Sequence, residues 1–402
     1  FSKENDIMDV WFDSGSTWAA VAGQRDNLQY PADVYLEGGD QYRGWFQSSM
    51  LTSIACNGVA PYKQIITHGW TVDGEGKAMH KSLGNAMPPE EIIKDYGADM
   101  LRLWVSSADY TQDMRISKEI MKQLSQAYLK IRNTARYMLG NLEGFHPAQA
   151  VAVKDMTDLD RWAVAAFNDL VKTVRAGYDA YEFHTVYRAV YNFCVVEMSN
   201  FYLDIIKDRL YCGDGAGRAS AQSALYRIVD GMTRMLAPIL AFTSQEIWTA
   251  MPHKAGDDPE CVLFNDIPDY DPALALGEAE AARWTELLEV RDIVLKTLEE
   301  AREQGIKKNQ DAEVTLTLDK ETFGLWKNGG FLSDFDEADL SALFIVSKVT
   351  VAERDNDLPG ITAAVALSTA PKCPRCWNHD DHIGAPGHHA ELCARCARVL
   401  GE

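Results

Sequence analysis

The chain has 402 residues and a net charge of −20, from 39 basic and 59 acidic side chains, with 47% hydrophobic and 24% charged residues. At ~150 residues per domain this gives two or three domains with ample core. The longest apolar run is the eight residues Met235 to Phe242, which excludes a spanning helix. So acidic a chain has no global positive field for nucleic acid, and any such contact must use local patches.

Phe1 opens the sequence without an initiator Met or a charged n-region, so no signal peptide and a piece of a longer polypeptide are expected. From Phe1 to about Ser117 the pattern is mixed α/β. An aromatic-rich opening, Asp9 to Trp18, leads to Tyr35-Leu36-Glu37-Gly38-Gly39-Asp40. A helix is predicted from Arg43 to Asn57, stopped by Gly58, and Tyr62 to Val72 reads as a strand. The loop Asp73-Gly74-Glu75-Gly76 follows, and Pro88-Pro89-Glu90-Glu91 starts a helix that Gly97 ends.

From Ser117 to about Pro252 everything reads as helix. Ser117 caps a helix to Gly140 and Asp158 caps one to about Tyr178. Two more run from Phe183 to Leu210 and from Ala219 to Met251, the last kinked at Pro238. Four long helices with short connections predict an antiparallel bundle. Gly256 to Glu280 carries eight acids and no base and marks a boundary. Beyond it, a helix from Ala281 to about Gln304 and strand-like runs at Glu313 to Leu318, Leu343 to Val351 and Ile361 to Leu367 predict a small α+β unit.

Of eight cysteines, Cys56, Cys194, Cys212 and Cys261 are scattered in apolar surroundings, as free buried thiols would be. The other four form Cys373-x2-Cys376 and Cys393-x2-Cys396. Two such knuckles, sixteen residues apart, place four thiolates around one tetrahedral zinc, in a closed structural site. A secreted disulfide framework does not fit, so a reducing cytosol is expected. His379, His382, His388 and His389 lie between the knuckles and read as exposed loop residues rather than ligands. Few large apolar residues accompany the cysteines, chiefly Trp377, Ile383, Leu392, Val399 and Leu400, so the segment depends on metal for its order.

Two further constellations carry chemistry. In Gly74-Glu75-Gly76-Lys77-Ala78-Met79-His80-Lys81-Ser82-Leu83-Gly84-Asn85, glycines free the backbone, Lys77 and Lys81 bring positive charge, and Ser82 adds a hydroxyl. That suits a polyphosphate, although by composition alone a Gly/Lys loop is more often a solvated turn. Glu37, Asp40 and Gln41 precede a helix, with Trp11 and Trp45 near. Such groups hold ribose hydroxyls or an ammonium beside an apolar wall, or else form a capped helix over two core tryptophans.

Together these stretches resemble the C-terminal part of class I aminoacyl-tRNA synthetases, the isoleucyl branch in particular. Asp9-Val10-Trp11-Phe12-Asp13-Ser14-Gly15 is similar to the family's re-entry into its catalytic domain. Tyr35 to Phe46 resembles its adenylate-binding block, and Lys81-Ser82 falls on the end of its Lys-Met-Ser-Lys-Ser loop. Phe201 to Tyr211 and Ala237 to Phe242 resemble its anticodon-binding helices, and the cysteines its zinc module. Ala78 and His80 depart from the loop's first lysine and first serine, and Lys77 stands one place before Ala78.

The resemblance implies an α/β C-terminal half of a Rossmann-like catalytic domain at residues 1–117 and a helical anticodon-binding bundle at 118–255. A junction α+β region at 256–369 and a zinc module at 370–402 complete the implied division. The implied activity is an isoleucine-tRNA ligase, acting on isoleucine, ATP with Mg2+, and tRNA(Ile), with one structural Zn2+. A cytoplasmic monomer without a membrane partner is expected. Lys81 and Ser82 are the implied catalytic residues, and Lys81 with Lys77 binds the phosphates. Glu37, Gly38, Asp40 and Gln41 hold the adenylate, and Trp11 and Trp45 line the side-chain pocket. The His-Ile-Gly-His signature and the editing insertion are expected before Phe1, so the 402 residues alone are expected to be inactive. Lys118, Lys122, Lys130, Arg132 and Arg136 against Glu119 form a basic stretch suited to an RNA backbone. A valyl or leucyl enzyme, or a non-catalytic tRNA-binding zinc module, is the alternative.

Overall fold

The computed structural model describes every residue except 1, 214, 304, 329–334, 357, 384–388 and 402, and the side chain of Lys81. His388, raised above as a histidine of the cysteine loop, lies outside the described residues. The chain divides into two units, Phe1–Leu129 with Gly177–Arg188, and Lys130–Ala176 with Ala189–Glu402.

In the first unit, Asp9 caps α1 (Val10–Gly15), its carboxylate accepting from the Trp11 amide at 2.8 Å. Strand β1 (Ala32–Gly38) pairs in parallel with β2 (Tyr62–His68), from Ala32 opposite Tyr62 to Gly38 opposite His68. A parallel pair needs a crossover, and α2 (Trp45–Asn57) supplies it, ended by Gly58 at φ 72°. The predicted helix starts two residues late because Gly39–Arg43 is a 3-10 turn. The predicted strand 62–72 is interrupted at Gly69-Trp70, leaving β3 (Thr71–Val72) to pair in parallel with β4 (Met114–Arg115). Between them come the 73–85 loop, α3 (Pro89–Tyr96) and α4 (Ala98–Ser107).

Helix α5 (Lys118–Gly140) is shared by the two units, and the Ser117 hydroxyl accepts from the Ile120 amide at 3.2 Å, as its capping role requires. Helix α6 (Asp158–Asp179) buries Val164, Phe167, Leu170, Val171 and Val174, a helical stripe. Its entry differs from expectation: Asp158 lies inside the first turn. The predicted 183–210 helix is α7 (Phe183–Asn192), a π-helical stretch Phe193–Tyr202, α8 (Leu203–Ile205) and α9 (Lys207–Cys212). Pro238 breaks rather than kinks the next, giving α10 (Gly215–Leu236) and α11 (Ala241–Ala250). Helix α10 is the core of the second unit, buried nearly all round from Ser220 to Leu236. A Cβ on Gly231 would lie 2.6 Å from the Phe167 ring, so only glycine lets α10 approach α6 there.

Helix α12 (Glu278–Glu303) packs on a three-stranded sheet of order β6-β5-β7. Strand β5 (Ala312–Leu318) buries Ala312, Val314, Leu316 and Leu318, a two-residue period. After α13 (Lys320–Asn328) comes α14 (Glu337–Phe344), then β6 (Lys348–Glu353) parallel to β5 and β7 (Ile361–Leu367) antiparallel to it. The predicted strand at 343–351 is therefore wrong in its first half. Leu343 and Phe344 close a helix, and Ile345 turns the chain at φ 60°. Helix α15 (Ala394–Val399) follows Cys393.

Candidate functional site

The residues expected to hold an adenylate meet at the C-terminal ends of β1 and β2. Register puts Glu37 opposite Thr67 and Gly38 opposite His68, at the strand ends beyond which parallel α/β sheets bind ligands. The 3-10 turn then brings Asp40 and Gln41 over that end. The Gln41 amide nitrogen donates to Asp40 Oδ2 at 3.2 Å, and its oxygen accepts from the Trp45 amide at 3.0 Å, capping α2. A Cβ on Gly44 would lie 2.6 Å from Gln41 Oε1, so any larger residue there would displace the Gln41 side chain. The two tryptophans differ. Trp45 stacks on Tyr35 at 4.3 Å and donates to the Ser14 carbonyl at 3.1 Å, whereas Trp11 is 44% exposed. Ser48 donates to the Trp11 carbonyl at 2.7 Å and ties α1 to α2. Glu37 and Asp40 are exposed and Gly38 is buried, so both carboxylates face solvent above a glycine floor.

The 73–85 loop is stapled by one carboxylate and one amide. Asp73 Oδ1 accepts from the backbone of Lys77 at 2.9 Å and of Glu75 at 3.0 Å. Asn85 donates to Asp73 Oδ2 at 2.8 Å and to the Ala78 carbonyl at 3.1 Å, and accepts from the His80 amide at 3.0 Å. Hydrogen bonds from the Lys77 backbone and then from Asn85 hold the Asp73 carboxyl below its ordinary value. Lys77 pairs with Glu75 at 2.7 Å on the surface, and Ser82 is exposed. Lys81 opens a short 3-10 turn, Lys81–Leu83; its side chain lies outside the described set.

In the second unit the four cysteine sulfurs all lie within 4.8 Å of one another and are buried. Cys376 and Cys393 sulfurs are 3.8 Å apart, far beyond a disulfide bond and close to the ~3.8 Å edge of a tetrahedron with 2.3 Å bonds. The donor set and spacing therefore fit a zinc ion. Burial opposes ionisation of Cys373, yet the backbone amides of Cys376, Cys393 and Arg375 bring its pKa down to about 7. Burial pushes the Cys376 and Cys393 thiols up. Without a cation these sulfurs would be poorly accommodated as thiolates.

Two expectations fail around this cluster. His379 is not an exposed loop residue: its Nδ1 lies 2.6 Å from the Ala370 carbonyl and its Nε2 3.2 Å from Asp311, which Lys372 also contacts. Cys56 is exposed and Cys261 half-buried where buried thiols were expected, whereas Cys212 is buried as expected and packs against the four-cysteine cluster.

Family models match three stretches of the chain. The model of class I tRNA synthetases (I, L, M and V) matches residues 1–117, and that of the anticodon-binding domain of tRNA ligases matches 160–316. The zinc finger found in FPG and IleRS matches 371–399. The isoleucine-tRNA ligase of Syntrophotalea carbinolica is 47% identical over all of this chain, and that of Geobacter sulfurreducens 45%. The chain belongs to the isoleucyl branch of the class I aminoacyl-tRNA synthetases. It spans 43% of the length of each of those two relatives. In fold it is similar to the LeuRS of Agrobacterium radiobacter, solved as a ternary complex with tRNA and LeuAMS. There the TM-score is 0.54 at 15% identity, covering 79% of this chain and 36% of that one. Methionyl-tRNA synthetase of Mycobacterium tuberculosis, in complex with methionyl-adenylate, gives 0.51 at 22%, covering 60% and 49%.

The part that matches the anticodon-binding domain holds a polar centre that sequence reading missed. Asp160 is fully buried and accepts five hydrogen bonds. They come from Tyr202 at 2.7 Å, from Arg209 at 2.7 and 2.9 Å, from Ser220 at 2.6 Å and from Thr157 at 2.8 Å. One carboxylate thereby joins α6, the π-helical stretch, α9 and α10. Burial, and then the Asp160 charge, keep the Tyr202 phenol protonated. On α5, successive 100° steps place Lys118 and Lys122 about 40° apart in the first unit, and Arg132 and Arg136 about 40° apart in the second. Arg132 lies 3.5 Å from Glu246, while Lys118, Lys122 and Arg136 are exposed.

Proposed function

We propose that this chain works within a cytoplasmic, monomeric isoleucine-tRNA ligase that activates isoleucine with ATP and transfers it to tRNA(Ile). The reading is carried by one observation. Isoleucine-tRNA ligases match 98–100% of the chain at 42–47% identity. The four-part division at 117, 255 and 369 belongs to the same proposal.

In the first step the isoleucine carboxylate oxygen bonds to the ATP α-phosphorus, and the bond to pyrophosphate breaks. In the second, a terminal ribose hydroxyl of the tRNA bonds to the acyl carbon and AMP leaves. Neither step needs a covalent enzyme intermediate, so the chain supplies position and charge. Lys81 neutralises the departing pyrophosphate and Ser82 donates to it; Mg2+ held on the ATP phosphates would add to that neutralisation. Lys77 exchanges Glu75 for phosphate. Asp40 and Glu37 take the ammonium and ribose hydroxyls, Gln41 fixes Asp40, and the two indoles line the apolar side-chain pocket. The basic residues of α5 track the tRNA backbone. Cys373, Cys376, Cys393 and Cys396 hold zinc, which cross-links the module and takes no part in either step.

Lys81→Ala in the enzyme that carries this chain tests the assignment. Isoleucine-dependent pyrophosphate exchange should fall ~10²–10³-fold with isoleucine binding little changed. Exchange at wild-type speed would remove Lys81 from the reaction.

A further inference from the structure

We infer that Arg375 and Arg395 are positioning residues for the metal centre, two crossed clasps that offset the charge of the thiolates and fasten the site to α9. The inference rests on reading the four cysteines as a zinc site. The two knuckles share a pattern, Cys373-Pro374-Arg375-Cys376 and Cys393-Ala394-Arg395-Cys396, with arginine just before the second cysteine of each. Each arginine is coupled electrostatically to the other knuckle: the Cys396 sulfur, first among its neighbours, favours the charged form of Arg375, and Asp208 and then Cys376 favour that of Arg395. Each also holds the bundle. Arg395 grips the Asp208 carboxylate with two nitrogens, Nη2 to Oδ1 at 2.8 Å and Nη1 to Oδ2. Arg375 donates to the Cys212 carbonyl at 2.9 Å, and the Cys212 thiol lies 3.5 Å from the Arg375 carbonyl.

The physical reason is charge. Four thiolates around one divalent ion leave two negative charges, on buried sulfurs, in a chain that already carries −20. Such a site needs cationic donors close by. Guanidinium suits the task because it is planar, always charged and donates along more than one edge, so it can serve a sulfur and a carboxylate together. Asp208 and Cys212 both belong to α9, whose Arg209 is bound into the Asp160 centre. One six-residue helix therefore holds the metal module on one side and the bundle's polar core on the other.

The test uses the whole 402-residue chain loaded with zinc, with stoichiometry by mass spectrometry and release followed with a chromogenic chelator. R375M and R395M should still bind one zinc at saturation and release it ~10–100-fold faster than the parent chain. R395K, which keeps the charge but loses the fork, should fall between. D208N touches no sulfur and should also speed release, by freeing Arg395. With Co2+ in place of zinc, the sulfur-to-metal charge-transfer band should move in R375M and R395M, which a merely structural loss would not cause. Release within twofold of the parent in both methionine variants overturns the clasps, and unchanged release in D208N overturns the fastening to α9. A parent chain that binds no zinc refutes the zinc reading itself.

Discussion

The 73–85 loop and the cysteine module are both short, poor in large apolar side chains, and held in opposite ways. The loop is fixed at its two ends by Asp73 and Asn85, which hydrogen-bond to each other and to its backbone, while Ser82 and the Lys77–Glu75 pair stand in solvent. The module turns inward on four buried sulfurs. Of its larger apolar residues Leu392 is buried, whereas Trp377 is 57% and Leu400 51% exposed. A polar staple leaves charged groups free to meet a substrate and to move. A filled tetrahedron leaves no open position, so its contribution is order. The difference in anchoring separates the segment that can act from the segment that can only hold.

Removing the metal should break this comparison most severely. Structural zinc supplies ~10–16 kcal/mol of apparent folding free energy in isolated fingers, and among the described residues of the module only Leu392 and Ala397 are buried apolar side chains besides the cysteines. Chelation should therefore abolish hydrogen-exchange protection across 371–383 and 389–399 and leave β1, β2 and α2 as protected as before. Since burial holds the Cys376 and Cys393 thiols protonated, metal must displace protons, and affinity should weaken as pH falls. Retained protection in metal-free protein would mean the module has another source of order.

The next effect in size concerns the bundle, which is anchored by neither device but by a buried charge. Asp160→Ala strands Arg209, Tyr202 and Ser220 around an empty acceptor site. Breaking a buried pair in this way costs ~3–5 kcal/mol, so the second unit should unfold at clearly lower denaturant. Asp160→Asn keeps the shape and some acceptor capacity and should cost less. Equal stability of Asp160→Ala and the parent chain would show the network to be idle.

These three regions were not equally legible in the sequence. The cysteine knuckles and the Gly-Lys loop carry their chemistry in local spacing, so both could be found from a single stretch. Strand β7 was also placed, Ile361–Leu367, because glycine and proline bound its run. Asp160 left no such trace: Asp158-Leu159-Asp160-Arg161 looks like a solvated helix start, and its partner Arg209 is 49 positions away. The run Leu343-Phe344-Ile345-Val346 misled because short apolar runs serve helix and strand alike. The cue to the helix was upstream, where Asp336 and Asp339 form a reciprocal capping box. Strand β1 was hidden by its ending in Glu37-Gly38, and α4 by the glycine that both ends α3 and starts it. His379 looked like one of several loop histidines because its partner Asp311 sits on the edge of a different element.

The smallest expected effect lies in the loop staple, and it sharpens the comparison best. Asn85→Ala removes three partly exposed hydrogen bonds, to Asp73, to Ala78 and from His80. At ~0.5–1.5 kcal/mol net for each, the closed loop is weakened but the fold of the first unit is not. In the enzyme that carries this chain, adenylate formation should fall about tenfold, with isoleucine affinity unchanged and the zinc content of the module untouched. Asn85→Asp should be worse than Asn85→Ala, because a second carboxylate would face Asp73, whose charge the present hydrogen bonds favour. Added salt should narrow the gap between the two variants, since the repulsion is screened while the missing hydrogen bonds are not. If alanine and aspartate behave alike at every ionic strength, Asp73 and Asn85 do not form the staple, and the loop is held by its backbone turns alone.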